Sequence, residues 1–144
     1  MVKENMTKYV VTIDPSTTIK VAWEIMGESE FRHLPVVVER RLVGIISDRD
    51  LLVYNPDGEG ASEETVETCM TPAPITVAKN TVISTAANLM VQHKIDCLPV
   101  VEGGILKGMI TSTDLLELLA TGLVSERATL PWDYEIRYAL NRFC

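Results

Sequence analysis

An α/β fold built from two β-α-β-β-α repeats, related by an internal pseudo-two-fold axis and followed by a C-terminal helical tail, is what this sequence predicts. The first observation is self-similarity. Residues 2–52 align without a gap on residues 66–116, with 18 identities in 51 pairs, where composition alone would give about three. The second is that the identities cluster. Leu34-Pro35-Val36-Val37 matches Leu98-Pro99-Val100-Val101, and Gly44 through Leu52 matches Gly108 through Leu116. The third is that in each copy a helical apolar spacing is followed by two apolar runs joined by a short turn.

Each unit opens with a short lead-in, Val2-x-x-x-Met6-Thr7 and Val66-x-x-x-Met70-Thr71. A β-prone run follows, Tyr9–Ile13 in the first copy and Ile75–Val77 in the second. Ile19, Ala22, Trp23 and Met26 then recur at i, i+3, i+4 and i+7, as do Ile83, Ala86, Ala87 and Met90, which predicts one amphipathic helix per unit. Ser16 and Thr17, and likewise Asn80 and Thr81, are the expected N-cap side chains.

Two strands are expected to form a hairpin next. Leu34–Val38 turns at Glu39-Arg40 into Arg41–Ile46, and Leu98–Glu102 turns at Gly103-Gly104 into Ile105–Ile110. Gly-Gly suits a tight hairpin because both residues accept positive φ. The Pro of each Leu-Pro-Val-Val lies near a strand start, where a missing N–H is tolerated. A second helix is expected to open at Ser47 or Thr111. One unit of about 50 residues would be marginal alone, so two are expected to share a core.

The expected divisions are a first repeat over 2–54, a linker over 55–65, a second repeat over 66–120 and a helical extension over 121–144. The linker holds two Gly, one Pro and several acids without apolar periodicity. In the extension, Thr129-Leu130-Pro131 resembles a helix entry, and Trp132, Ile136, Leu140 and Phe143 share one face. That face either caps the core or docks another protein.

Composition narrows the function. A chain of 144 residues with 47% apolar residues and a mean hydropathy of +0.15 can bury roughly 68–70% of its unfolded surface as one domain. The net charge of −7, with no basic run, argues against a nucleic-acid partner held through phosphates. No apolar stretch approaches the length of a membrane span. Three cysteines without CxxC spacing suggest reduced thiols and a cytoplasmic location. Cys97, in an apolar run, is expected to be a small core residue.

Catalytic chemistry has little support. His33 and His93 lack metal-ligand spacing to another His, Cys or carboxylate, and no GxSxG, HExxH, P-loop or GxGxxG is present. No active site or metal site is expected. The pattern that stands out is Gly-x-x-Ser/Thr-x-x-Asp at a strand-to-helix junction, present as Gly44, Ser47, Asp50 and as Gly108, Thr111, Asp114. A Ser or Thr three residues before an acid is close to a capping box, which satisfies orphan N–H groups. The same geometry suits a nucleotide: Gly allows close approach, the hydroxyl and helix amides hold phosphate, and the Asp accepts from a ribose diol. Both uses remain open on spacing alone. Arg49 in the first helical turn opposes the helix dipole, a conflict that a bound anion would relieve.

The whole pattern resembles the CBS domain, the repeat named after cystathionine β-synthase, as a tandem pair or Bateman module. The resemblance covers both repeats and rests on the Met-Thr lead-in, the His-Leu-Pro-Val stretch and the Gly-Ile-Ile-Ser-Asp-Arg-Asp-Leu stretch; the tail after Thr121 has no counterpart in it. It implies a non-catalytic regulatory module that binds an adenosine ligand, such as AMP, ADP, ATP or S-adenosylmethionine, in two clefts and signals to a protein partner. It also implies pairing into a homodimer. One cleft would use Ser47 and Asp50 with Arg32 and His33, and Ile75 or Thr76 against the base. The other would use Thr111 and Asp114 with Asp96 and Cys97, and Val11 or Thr12 against the base. A hydrogen bond to a charged group adds roughly 1.5–3 kcal/mol, so Arg32-His33 is expected to cradle an anion. Asp96 would repel one. The Asp114 cleft is therefore expected to be empty, weak or selective for the cationic sulfonium of S-adenosylmethionine. The alternatives are a dimeric interaction module without ligand binding and, less favoured, an accessory fragment such as the regulatory insert of a dehydrogenase or the cytosolic domain of a transporter.

Overall fold

The computed structural model of the protein describes residues 1–29, 31–54 and 63–122. Most of the expected linker and the tail carrying Trp132 and Phe143 lie outside the described residues. In chain order the elements are α1 (Val2–Asn5), α2 (Ile19–Ser29), β1 (His33–Val38), β2 (Arg41–Ser47), α3 (Asp48–Tyr54), a 3-10 turn (Val66–Thr68), β3 (Thr71–Pro72), α4 (Ile83–His93), β4 (Cys97–Glu102), β5 (Ile105–Thr111) and α5 (Ser112–Ala120). The repeat is visible in the order α2-β1-β2-α3, which returns as α4-β4-β5-α5.

β1 and β2 form one antiparallel hairpin, β4 and β5 the other, in the same register and with a bulge at the same place, Val36/Val37 and Val100/Val101. The hairpins meet only at their turns, where Arg41 pairs with Ile105, giving the order β1-β2-β5-β4. Leu42 N–H donates to Gly104 O at 3.1 Å and Leu106 N–H to Arg40 O at 3.0 Å, one bond in each direction across the pseudo-two-fold. Both turns run through positive φ. The second uses Gly103 (58°) and Gly104 (81°), and the first holds Glu39 (49°) and Arg40 (70°) in the same region.

The leading strand of each unit is shorter than its β-prone sequence suggests. It reduces to a single parallel bridge, Ile13 to Val36 and Val77 to Val100. Ile13 N–H donates to Pro35 O and Val37 N–H to Ile13 O, while Tyr9 is 93% exposed. Pro35 and Pro99 turn their carbonyls to these segments but lack the N–H that a second rung would need, and Pro15 lacks the donor on the far side of Ile13.

The shared core that the sequence suggests is in fact two clusters. One gathers Ile13, Ile19, Ala22, Met26, Leu34, Val36, Ile46 and Leu51 from the first repeat, together with Val66. The other gathers Val77, Ala86, Met90, Leu98, Val100 and Ile110 from the second, together with Val2. Each lead-in has crossed over. Val2 N–H bonds Thr81 O at 2.8 Å and Thr7 exchanges two hydrogen bonds with Met109, whereas Val66 N–H bonds Thr17 O at 2.8 Å and β3 pairs with β2. A fully buried valine stabilises by about 1.5–3 kcal/mol, so each repeat depends on the other for part of its core.

The helix starts also differ from expectation. Thr18, not Ser16 or Thr17, accepts the Val21 N–H at 3.2 Å, and Ser16 turns back to Asp14. In the second repeat Val82 occupies the N-cap with no side-chain bond, and Thr81 instead accepts from Ala78 N–H.

Candidate functional site

The two Gly-x-x-Ser/Thr-x-x-Asp junctions fold as reciprocal caps. Ser47 N–H donates to Asp50 Oδ2 at 2.9 Å and Asp50 N–H to Ser47 Oγ at 3.2 Å. Thr111 N–H donates to Asp114 Oδ2 at 2.8 Å and Asp114 N–H to Thr111 Oγ1 at 3.2 Å. The capping use is therefore real, and it is compatible with the other. Each carboxylate spends one oxygen on the cap, and no hydrogen bond occupies its second oxygen among the described residues.

The glycine has a different role from the one its spacing suggests. A Cβ on Gly44 would collide with Met70 Sδ and meet Thr71 O at 3.1 Å. One on Gly108 would lie 2.6 Å from Thr7 O and 3.0 Å from Met6 Sδ. The group that approaches so closely is the crossed lead-in, which sets Thr71 beside the Ser47 cap and Thr7 beside the Thr111 cap.

A cleft of about 690 Å³ opens over the first cap. Asp48 N–H donates to Arg32 O at 2.9 Å, which ties the residues before β1 to the start of α3 and places Arg32 and His33 on the same wall as Ser47 and Asp50. The opposite wall comes from the second repeat, with Lys94, Asp96 and Cys97. A second cleft of about 420 Å³ opens over Thr111, Ser112 and Thr113 and is closed by Thr7, Val10 and Phe31. Here Ser112 N–H donates to Asp96 O at 2.8 Å, the counterpart of the Asp48–Arg32 bond.

Arg32, His33, Asp96 and Cys97 line both clefts. They are not divided between the clefts as the sequence suggests. His33 Nε2 and Asp96 Oδ1 stand 3.0 Å apart, so the carboxylate that was expected to repel a phosphate in one cleft is instead paired at the boundary of the two. The clefts differ in their other charges. The first adds Arg49, Lys94, Asp48 and Asp50, and the second adds none.

Of the expected site residues, Ser47, Asp50, Arg32 and His33 come together in the first cleft. Thr111 lies in the second, with Asp114 hydrogen-bonded behind it. The residues expected against the base are elsewhere. Ile75 packs against the second core, Thr76 lines neither cleft, Val11 is 37% exposed, and Thr12 faces a separate groove. Their places on the walls are taken by Thr71 in the first cleft and by Thr7 and Val10 in the second. The duplicated Met-Thr was the available signal for the two threonines, because an exact match in a lead-in with no core periodicity needs another reason.

Cys97 is buried, and its thiol is pushed up by desolvation and then by the Asp96 and Asp114 carboxylates. Cys69 is raised by partial burial, with Asp50 and Glu64 adding to it. No group of three or more His, Cys, Asp or Glu among the described residues is placed to hold a metal ion. None of the described helices is long and apolar enough to cross a membrane.

Comparison with known proteins agrees with this architecture. The CBS domain profile matches twice, over residues 2–57 and 66–121. The CBS domain-containing protein YhcV of Bacillus subtilis is 31% identical over 114 residues, 79% of this chain and 81% of the relative. Inosine-5'-monophosphate dehydrogenase of Korarchaeum cryptofilum is 37% identical over 107 residues, but the match covers only 21% of that enzyme and 74% of this chain. Among solved structures, the CBS domain pair of protein MJ0100 in complex with 5'-methylthioadenosine and S-adenosyl-L-methionine superposes with a TM-score of 0.77 at 28% identity, covering 84% of this chain and 96% of that one. CBSX2 of Arabidopsis thaliana in complex with AMP superposes with a TM-score of 0.76 at 30% identity, covering 83% and 96%. With the family profile matching both repeats, this chain belongs to the CBS-domain family, as a tandem pair of CBS repeats.

Proposed function

We propose that this protein is a non-catalytic regulatory module that takes an adenosine ligand in the cleft over Ser47 and Asp50 and passes the binding event to a protein partner. The observation that carries this reading is the convergence of Arg32, Ser47, Asp50, Thr71 and Lys94 from both repeats on one cleft of about 690 Å³. Asp50 keeps an oxygen for ribose hydroxyls, and Arg32, Arg49 and Lys94 supply the cations for a phosphate. AMP-bound CBSX2 supports a nucleotide here. The second cleft, which shares Arg32 and Asp96 with the first but lacks its Arg49 and Lys94, suits an uncharged or sulfonium-bearing adenosine such as 5'-methylthioadenosine or S-adenosylmethionine. A ligand seated between walls from two repeats shifts their relative position only as far as its affinity differs between the arrangements.

Thermal unfolding with AMP, ADP, ATP, S-adenosylmethionine and GTP tests this. A ligand at a hundred times its Kd adds about 2.7 kcal/mol, a shift of several degrees. Stabilisation by one adenosine ligand, lost in Asp50→Ala and kept in Asp114→Ala, is the expected outcome. The opposite pattern would move the nucleotide to the second cleft.

A second reading, a homodimeric interaction module without ligand, is favoured by Val53 (78% exposed), Leu116 (64%) and Leu119 (60%) on α3 and α5. Sedimentation of a stable dimer with no response to the ligand panel would support it.

A further inference from the structure

A third concavity, of about 190 Å³, lies over the junction of the two hairpins and is lined by Lys8, Arg40 and Lys107 with Thr12, Val37 and Leu106. Three of the chain's 13 lysines and arginines converge there, in a protein of net charge −7. None of the three makes an ion pair among the described residues. The Thr7–Met109 bridge brings Lys8 alongside Gly108, next to Lys107 on β5. Lys107 is half-buried and has no carboxylate partner among the described residues.

The pseudo-two-fold supplies an internal control. The counterparts of Lys8, Arg40 and Lys107 in the repeat alignment are Pro72, Gly104 and Val43, none of them charged. Val43 packs against the first core, so the fold asks for an apolar residue where Lys107 stands. Gly104 meets positive φ without strain, whereas Arg40 holds φ 70°. At two of the three positions, therefore, a cation is kept where the other repeat uses the residue better suited to the backbone or the core. Strain of this kind persists where another constraint outweighs it.

We propose that this groove is an oxyanion site for the phosphoryl group of a small soluble ligand, separate from both clefts. Its three cations come from the lead-in, a hairpin turn and β5. A bound phosphoryl group would therefore bridge the crossed lead-in to the junction of the hairpins. Val10 stands between the groove and the second cleft and lines both.

The test is amide NMR of the full chain, titrated with inorganic phosphate and with pyrophosphate at constant ionic strength. Saturable shifts of Lys8, Thr12, Arg40 and Lys107 are expected, with affinity weakened about tenfold or more in Lys107→Gln and in Arg40→Gly, as loss of a charge-assisted hydrogen bond implies. Arg40→Gly also relaxes the turn, so loss of binding there cannot be ascribed to unfolding. Equal shifts with sodium chloride, shifts confined to the Ser47 and Thr111 caps, or unchanged affinity in both variants would overturn the proposal. Stronger retention on phosphatidylglycerol vesicles than by free phosphate would overturn its assignment to a small ligand.

Discussion

His33 Nε2 lies 3.0 Å from Asp96 Oδ1, and the two residues sit at neighbouring, non-equivalent places of the repeat. The first copy carries Arg32-His33 where the second carries Asp96-Cys97. The two copies thus carry opposite charges at equivalent positions, Arg32 and Asp96, where the clefts touch. Any anion entering the first cleft meets Asp96 as a competitor for His33.

Replacing Asp96 by Asn removes that competitor. Asp96 is 59% exposed, so solvent screens the pair and its worth falls within about 0.2–1 kcal/mol. AMP affinity measured by calorimetry is expected to rise roughly two- to fivefold in Asp96→Asn and to fall in Arg32→Gln. An unchanged or weaker affinity in Asp96→Asn would show that the pair holds the cleft open and does not compete.

Gly44→Ala and Gly108→Ala are each expected to destabilise the protein by about 1–3 kcal/mol, because the new methyl group collides with the crossed lead-in. At Gly108 the nearest obstacle is the Thr7 carbonyl, a backbone atom. At Gly44 it is the flexible Met70 side chain. Urea unfolding should therefore find Gly108→Ala the more damaging of the two.

Val82→Thr is expected to stabilise by about 1 kcal/mol. Val82 is 53% exposed at an N-cap with no side-chain bond, while its counterpart Thr18 accepts the Val21 N–H. A threonine supplies the missing acceptor at little cost in burial. No rise in the melting temperature would mean that the α4 start is already satisfied by solvent.

The cysteines predict an alkaline limb. Burial raises the Cys97 thiol above its ordinary value of 9.0, so the folded state holds that proton more tightly than the unfolded one. The resulting stability is fully present below about pH 9 and is lost as pH climbs from there toward the folded value. Cys97→Ala should flatten stability between pH 8 and 10, on the order of the usual thiol range. Alkylation of Cys97 in the folded protein should be far slower than in urea, since the thiolate is the nucleophile.

Asp14 sets part of the acid limb. Bonds from the Ser16 hydroxyl, then from the Ser16 and Thr17 amides, hold its carboxyl below its ordinary 3.8. A depressed folded value gives stability that is present above 3.8 and lost as pH falls through the folded value. Carboxyl NMR should show the Asp14 titration moving up in Ser16→Ala.

Several parts of this molecule were legible before any coordinates. Equal spacing in both copies gave the hairpins, the amphipathic helices over Ile19 and Ile83, and the caps at Ser47 and Thr111, since all of these depend on residues close in the chain. The pairing of Arg32 and His33 with Asp50 followed from the family resemblance, and the structure brings those residues together. Other parts were not legible. The family pattern sets Ile75 and Thr76 against a base, but Ile75 is half-buried and packs against the second core. Thr71 and Lys94 reach the first cleft only because separate elements converge there.

The sequence by itself determined that there are two copies of one unit, where each unit turns, and which side chains cap its second helix, because local backbone preferences and apolar periodicity act within a few residues of one another. Only the tertiary structure decided that the lead-ins exchange partners. It also decided that Gly44 and Gly108 make room for the crossed lead-ins beside a helix cap, and that His33 and Asp96 share a boundary. The reason is physical. Val2 and Val66 can be buried in either copy without any change in their own local pattern, and the choice rests on packing between segments far apart in the chain.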